Sequence, residues 1–422
     1  VKVKPVEVNP EKNNLQKHAI EIFYQGIDAC LPSNCLTSFL DQNYNSREKI
    51  LNSYLSQNLD IVAIGKAGFQ LASAFQKYMI QYCSEKNISI PKNRGIVLTK
   101  HGHSTGEIDG FHILESSHPY PGQDSLESGK ALVDFISSSQ SEQILFLISG
   151  GGSSLIEHLL DGETLENLHK LNKDLVQSGK DIQTINKIRK SMSQIKGGKL
   201  LNFIPEQVKS ITNLYISDVI GDDLSSISSG MSFPSEDTSL NNSSLIIENH
   251  IIGNLSQSLT QSKAKAESLG YKTTILTSSL QGEAKEVAKV LASFLREMQT
   301  DIPSFPKPTC LLLGGETTVQ IKGSGLGGRN QELAYAFALE VQGRSGLCFL
   351  SGGTDGTDGP TDAAGGIVDG DTITELSKIT LESPESFLED NNSYPALEMA
   401  GSLLMTGPTG TNINDILVLL VE

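Results

Sequence analysis

Short apolar runs alternate with longer stretches of helical period along most of the chain. Residues 60–65, 95–99, 111–115, 144–149 and 211–217 read as strands, each a compact apolar run bounded by turn-forming residues. Between them, 69–83 and 125–137 have the spacing of amphipathic helices, the second capped by Asp124 or Ser125. Strands alternating with helices predict parallel pairing and an α/β sheet. Residues 181–196 predict another helix, because Ile182, Ile185, Ile188, Met192 and Ile195 recur at intervals of three and four. Gly197 and Gly198 would stop it with a left-handed cap. After a polar stretch at 235–244, strands are expected at 246–252 and 273–276, helices at 255–269 and 283–298, and a proline-rich connector at 301–308. From residue 309 the texture changes: strands at 310–313, 317–322, 347–351 and 416–421 are separated by glycine-rich loops. Two domains are expected, 1–240 and 241–422, with the first helices able to pack on either.

The loops carry the candidate chemistry. In open α/β sheets, ligands bind beyond the carboxyl ends of strands, where helix-start N–H groups favour anions. Gly65-Lys66-Ala67-Gly68 follows the strand at 60–64, so Lys66 sits where it could neutralise charge in a transition state, unless it is simply a solvated surface lysine. The loop is not a Walker A motif, since aspartate holds position 60 and alanine position 67. Gly150, Gly151 and Gly152, followed by Ser153 and Ser154, offer a bare backbone concavity with two hydroxyls for phosphate oxygens. Leu155 excludes the nucleophile elbow of a serine hydrolase. Lys187, Arg189, Lys190, Lys196 and Lys199 form a basic cluster, either a solvated helix face or a wall for an anion.

Asp218, Asp222 and Asp223 follow the strand at 211–216. A carboxylate at a strand tip suits Mg²⁺ coordination or activation of a substrate hydroxyl, while an aspartate-rich turn is the plainer alternative. Residues 323–328 spell Gly-x-Gly-x-x-Gly ahead of Arg329, but the acidic partner of a dinucleotide site, about 20 residues on, is missing. Arg329 offers a planar fork to phosphate or carboxylate, or a structural ion pair. Loops at 352–362, which include Asp355, and at 407–412 are rich in glycine, threonine and aspartate and could line a wet cleft. His101, His103 and His118 lack the helical spacing of zinc hydrolases and suit loop or substrate roles better than metal ligation.

Composition narrows the class. With 38% hydrophobic and 19% charged residues, the chain is globular and long enough to bury two cores without disulfides. Lys and Arg number 33 against 49 Asp and Glu, a balance of −16 that argues against a general nucleic-acid or anionic-membrane binder. A local basic pocket for a phosphorylated ligand remains compatible with it. Five cysteines without a Cys-x-x-Cys pair suggest a reducing, cytoplasmic setting. The longest apolar runs, such as 416–421, fall far short of the roughly 20 residues needed to span a bilayer, and residues 1–17 show no signal-peptide pattern.

Taken together, these stretches resemble class II glycerate kinase, the glycerate 2-kinase group whose C-terminal part is called the MOFRL domain. The resemblance runs in order from about residue 15 to 420. It is carried by IGKA from Ile64, KHGH from Lys100, SHP from Ser117, ISGGGSSL from Ile148, INKIRKSMSQIKGGKL from Ile185 and ISDVIGDD from Ile216. In the last third it is carried by GGETTV from Gly314, GLGGRNQEL from Gly325, SGGTDGTDGPTDAAG from Ser351 and MTGPTGTNIND from Met405.

The resemblance implies a Rossmann-like parallel-sheet N-terminal domain, a C-terminal domain containing the MOFRL region at about 308–420, and an active site in the cleft between them. It implies ATP- and Mg²⁺-dependent phosphorylation of D-glycerate on its 2-hydroxyl. The implied catalytic residues are Lys66, Asp218 and Arg329. Gly150 to Ser154, with Lys196 and Gly197, are implied at the nucleotide phosphates. His118, Asn330, Glu332 and Asp355 are implied at the substrate, and Asp218 and Asp222 at Mg²⁺. The sequence departs from the family pattern at Ile220 and Met231, where proline is usual, and at Ser191, where histidine is common. Small-molecule partners only are expected, with no nucleic acid and no membrane, in a monomer or homodimer. Two alternatives stay open: an NAD(P)H-dependent hydroxypyruvate reductase using the Gly-x-Gly-x-x-Gly loop, and a catalytically silent ligand-binding relative.

Overall fold

The computed structural model describes residues 14–177, 182–236, 238–239, 244–300 and 305–422. Two compact units emerge, one spanning Pro32–Gly253 and the other joining residues 14–31 to Asn254–Glu422. The division thus falls after Gly253 rather than near residue 240. The first helix also joins the C-terminal unit.

In the Pro32–Gly253 unit, β1 (Leu59–Ile64), β2 (Arg94–Lys100), β3 (Phe111–Ser116), β4 (Gln143–Ile148), β5 (Ser210–Ile216) and β6 (Ile246–Gly253) form one sheet. Its order is β3-β2-β1-β4-β5-β6, with every neighbouring pair parallel. This is the doubly wound order, whose direction of growth reverses between β1 and β4. β1, β4 and β5 are buried along their whole length, which explains why they read as unbroken apolar runs rather than alternating ones. Pairing of β6 with β5 from Ser210↔Ile246 onward places the 246–252 segment in this unit and so moves the boundary.

The second unit holds β7 (Lys272–Leu280), β8 (Thr309–Gly315), β9 (Leu347–Gly353), β10 (Gly365–Val368), β11 (Leu403–Leu404) and β12 (Asp415–Val421), in the order β11-β10-β9-β12-β8-β7. Only β7 and β8 pair in parallel; β12 lies antiparallel to both β8 and β9. Along β12, Leu417, Leu419 and Val421 face a core built with the helices Ala284–Met298 and Arg329–Glu340. Ile416, Val418 and Leu420 face a second core shared with the helices Asn14–Ala29 and Leu255–Ser268. Each face of the sheet is therefore covered, and the first helix is one of its covers. Ser258 and Ser262 donate to the Gly26 and Ile22 carbonyls (2.8 and 3.0 Å), where Gly26 leaves no room for a side chain.

Two local expectations need correction. Residues 317–322 make no strand: only Thr318 forms an isolated bridge, to Glu283. The helix expected at 181–196 ends at Ser191. Residue 181 and the side chains of Ile182 and Ile185 lie outside the described residues. Gly197 and Gly198 do adopt positive φ, but Gly198 caps the following 3-10 turn Lys199–Phe203 instead of closing that helix. Among the described residues, no helix is long and apolar enough to cross a membrane.

Candidate active site

Backbone hydrogen bonds lock together the loops after β1 and β4. The Ser149 N–H donates to the Ile64 carbonyl (2.9 Å) and the Lys66 N–H to the Gly150 carbonyl (2.9 Å). Ser149 Oγ accepts from the Ala67 N–H (3.0 Å). Gly65 turns at φ 109°, and a Cβ there would lie 2.4 Å from the Ser149 carbonyl oxygen, so this crossing requires glycine. Beyond it, the helix Gly68–Lys86 starts at the switch point, where the backbone favours anions.

Three predicted residues converge on the glycine run. A Cβ on Gly150 would fall inside the carboxylate of Asp218, whose farther oxygen would lie only 2.6 Å away. A Cβ on Gly151, at φ 90°, would lie 3.0 Å from Lys66 Cγ and 3.5 Å from His118 Cδ2. Gly152 faces Ile64 and Ser228, and Ser228 donates to the Ser149 carbonyl (2.8 Å). Lys66, Asp218 and His118, far apart in sequence, thus surround one bare stretch of backbone. His118 is half-buried. Burial first, then the positive charges of Lys66, Lys100 and His103, hold its imidazolium down to about 4, so the ring is neutral at neutral pH. His103 Nδ1 lies 2.9 Å from the Lys66 carbonyl and helps hold that turn.

Asp222 sits at a turn with φ 57°. Asp223 caps its own loop, accepting from the Ser225 N–H (3.0 Å) and the hydroxyls of Ser225 and Ser226. Among the described residues, no group of three or more His, Cys, Asp or Glu side chains could hold a metal ion. Mg²⁺ at a phosphoryl-transfer site commonly takes one or two carboxylates, with phosphates and water completing the shell, and Asp218 supplies that kind of donor.

Beside the glycine run, a cavity of about 210 Å³ is lined by Pro119, Tyr120, Pro121, Ser153, Ser154, Leu168, Arg189, Lys190, Lys196, Ser226 and Ser229. Ser153 and Ser229 share a hydroxyl hydrogen bond of 2.7 Å. Lys196 is not on the Arg189 helix: it is buried and its ammonium pairs with the fully buried Glu157. That pairing commits its charge to the interior, contrary to a freely presented phosphate ligand. Gly197 likewise spends its N–H on the Ser229 carbonyl (2.9 Å).

In the second unit, Arg329 opens the helix Arg329–Glu340. Its Nε and Nη2 donate to the two oxygens of Asp415 (2.6 and 3.0 Å), and Nη1 lies 3.1 Å from Glu316. Burial opposes the Arg329 charge, but Asp415 more than compensates and raises its pKa. Asp358 accepts from the Gln331 N–H (2.8 Å) at the same helix start. Burial pushes its carboxyl up to about 7 against that hydrogen bond, and the Asp415 charge adds to the rise.

Asn330 is buried, accepts from Ser351 Oγ (2.7 Å) and faces Asp358. Glu332 is buried and accepts from Asn391 (3.1 Å). Both belong to the scaffold of this unit, not to a surface open to substrate. Asp355 is half-buried and accepts from the Thr357 N–H (3.1 Å).

The Gly-x-Gly-x-x-Gly loop has a packing explanation. Cβ atoms on Gly323, Gly325, Gly327 and Gly328 would collide with Asp390, Asn392, Ser393 and Asp358 respectively. Its helix start is already capped by the chain's own carboxylate, so the loop is not shaped around a pyrophosphate. Asp415, Glu316, Glu157 and Ser229 were not singled out from sequence. The one available signal was for Asp415, a carboxylate opening the apolar run 416–421.

A doubly wound sheet presenting bare amides, a lysine and an aspartate at its switch point defines an α/β protein built to handle anionic substrates. Residues 18–262 match the family described as "Domain of unknown function (DUF4147)", and residues 309–415 match the MOFRL family. A D-glycerate 2-kinase of Thermotoga maritima is 38% identical, over 97% of this chain and 99% of its own. A glycerate 2-kinase of Pyrococcus horikoshii is 34% identical, over 86% of this chain and 87% of its own. The crystal structure of glycerate kinase from Thermotoga maritima superposes with a TM-score of 0.84 at 37% identity, covering 97% of this chain and 100% of that one. The chain belongs to the MOFRL family of glycerate kinases.

Proposed function

We propose that this protein transfers the γ-phosphoryl group of ATP to the 2-hydroxyl of D-glycerate, giving 2-phosphoglycerate and ADP. The observation that carries the proposal is the meeting of Lys66 and Asp218 over Gly150 and Gly151 at the switch point of the parallel sheet. The relatives named D-glycerate 2-kinase and glycerate 2-kinase, matched over most of their length, support the choice of acceptor.

Phosphoryl transfer demands placement and charge neutralisation more than covalent chemistry. The bare amides of the glycine run receive the phosphates, and the Lys66 ammonium offsets the charge that grows on the transferring group. Asp218 either accepts the proton of the substrate hydroxyl or, with Asp222, holds Mg²⁺; bound there, the ion would neutralise phosphate charge. The neutral His118 is suited to exchange a hydrogen bond with the acid without adding repulsion to Lys66. In its own unit, Arg329, fixed by Asp415 at a helix start, keeps N–H donors of the kind that bind anionic oxygens. Water-excluding Rossmann-type dinucleotide binding finds no support at residues 323–328, because their glycines serve local packing.

The test is ADP release with D-glycerate, hydroxypyruvate and related hydroxy acids, followed by NMR of the product. Turnover with D-glycerate and a 2-phosphate resonance are expected. Steady NADH oxidation by hydroxypyruvate, with no ADP release, would overturn the reading.

A further inference from the structure

The Lys66 side chain leaves a stretch of backbone that neither strand nor helix holds. β1 ends at Ile64 and the next helix starts at Gly68, so residues 65–67 bridge the two. The Lys66 N–H donates across to the Gly150 carbonyl (2.9 Å). The peptide on its other side, between Lys66 and Ala67, is gripped at both ends by side chains. Its carbonyl lies 2.9 Å from His103 Nδ1, which must be the donor because a carbonyl oxygen only accepts. Its N–H, on Ala67, donates to Ser149 Oγ (3.0 Å). Ala67 stands at the helix N-cap with no side-chain oxygen of its own, so a hydroxyl from another loop supplies the acceptor.

Ser149 can hold that peptide because it is itself held. It is buried, and its hydroxyl proton goes to the Ile64 carbonyl (3.3 Å), which leaves an oxygen lone pair for Ala67. The Ser149 N–H donates to the same Ile64 carbonyl (2.9 Å), and the Ser149 carbonyl accepts from Ser228 Oγ (2.8 Å). One side chain therefore ties the end of β1 to the Lys66 turn and to the start of the glycine run, where Gly150 packs against Asp218. Without the hydroxyl, the Lys66–Ala67 peptide is free to rotate about its His103 end, and the four-carbon stem of lysine magnifies that rotation at the ammonium.

We propose that Ser149 is a positioning residue for phosphoryl transfer: its hydroxyl fixes the Lys66–Ala67 peptide and so the direction in which Lys66 reaches over the glycine run. The inference rests on the kinase reading above and gives Ser149 no contact with nucleotide or acid.

Steady-state ADP-release kinetics test it on the full chain, comparing the native protein with Ser149→Ala, Lys66→Met and the double variant. Ser149→Ala is expected to lower kcat by about tenfold to a hundredfold, the effect of a misplaced catalytic group. KM for ATP and for D-glycerate should stay within about twofold, because the contact serves the transition state rather than binding. In the Lys66→Met background the same substitution should change kcat by less than about threefold, since both changes act through one ammonium. Ser149→Cys conserves the volume while its sulfur accepts only weakly, and it should resemble Ser149→Ala. Thermal unfolding identifies the folded variants. An unchanged kcat in folded Ser149→Ala would overturn the inference and leave the kinase reading intact. An equal loss with and without Lys66, or a loss that appears in KM alone, would overturn it in favour of a general structural contact. Loss of folding in both Ser149 variants would do the same. Absence of ADP release by the native protein would overturn both readings.

Discussion

Replacing Gly150 by alanine isolates the contribution of the Asp218 position. Gly150 does not have a positive φ, so alanine meets no backbone penalty there, and restricting the unfolded chain would by itself favour the variant by about 0.4–1 kcal/mol. The obstacle is local: the new methyl would occupy the space of the Asp218 carboxylate, with Oδ1 at 2.6 Å as its farther oxygen. Asp218 must therefore retreat by more than about 1 Å, a displacement that can cost about 10²-fold in rate when the group is catalytic. Overpacking adds a stability cost of about 1–3 kcal/mol. Coupled ADP-release kinetics should show kcat reduced about a hundredfold, while thermal unfolding still shows a cooperative, folded protein. The same substitution in an Asp218→Ala background should have little further effect, since the two changes act through one group. A kcat for Gly150→Ala close to that of the native enzyme would refute the reasoning, as would full additivity of the two substitutions.

The buried pair of Lys196 and Glu157 gives a stability prediction: Lys196→Met strands a carboxylate in the core and should cost about 3–5 kcal/mol by urea denaturation. The double variant Lys196→Met/Glu157→Gln should recover much of that loss. Asp358 gives a pH prediction. Its carboxyl, raised from an ordinary 3.8 to about 7, makes the folded state hold a proton that the unfolded chain has released. This contribution to stability is full below about pH 4 and disappears as pH rises through 7. Asp358→Asn should therefore flatten the fall in unfolding free energy between those values, and an undiminished slope would exclude this carboxyl as its source.

How much of the molecule was legible follows from what each residue responds to. The parallel sheet could be read because β1, β4 and β5 are buried on both faces and leave unbroken apolar runs in the sequence. β10 and β11 could not, since Gly365 and Gly366 with two leucines at 403–404 carry no strand signature without their partners. The unit boundary was misplaced because 246–252 looks identical whether it begins a new sheet or closes the old one, and only pairing with β5 decides. The N-terminal helix shows an apolar stripe but not which sheet it covers.

At the candidate site, glycine-rich loops at strand ends point to Lys66 and residues 150–152, and a carboxylate at a strand tip points to Asp218. The same rule misled at 323–328, where glycine is required by Asp390, Asn392 and Asp358 packing against it. Asn330 and Glu332, which the family resemblance implies at the substrate, are enclosed by Ser351 and Asn391, neighbours 21 and 59 positions away that local sequence does not reveal.

The most direct test of the phosphoryl-transfer reading is a single-turnover quench-flow measurement on Lys66→Met, with enzyme in excess over radiolabelled ATP and D-glycerate saturating. The predicted result is retained ATP binding with transfer to glycerate slowed by about 10²–10³-fold, the effect of removing one preorganised charge-stabilising donor. Transfer at the native rate by the folded variant would contradict the central role given to this lysine above the glycine run.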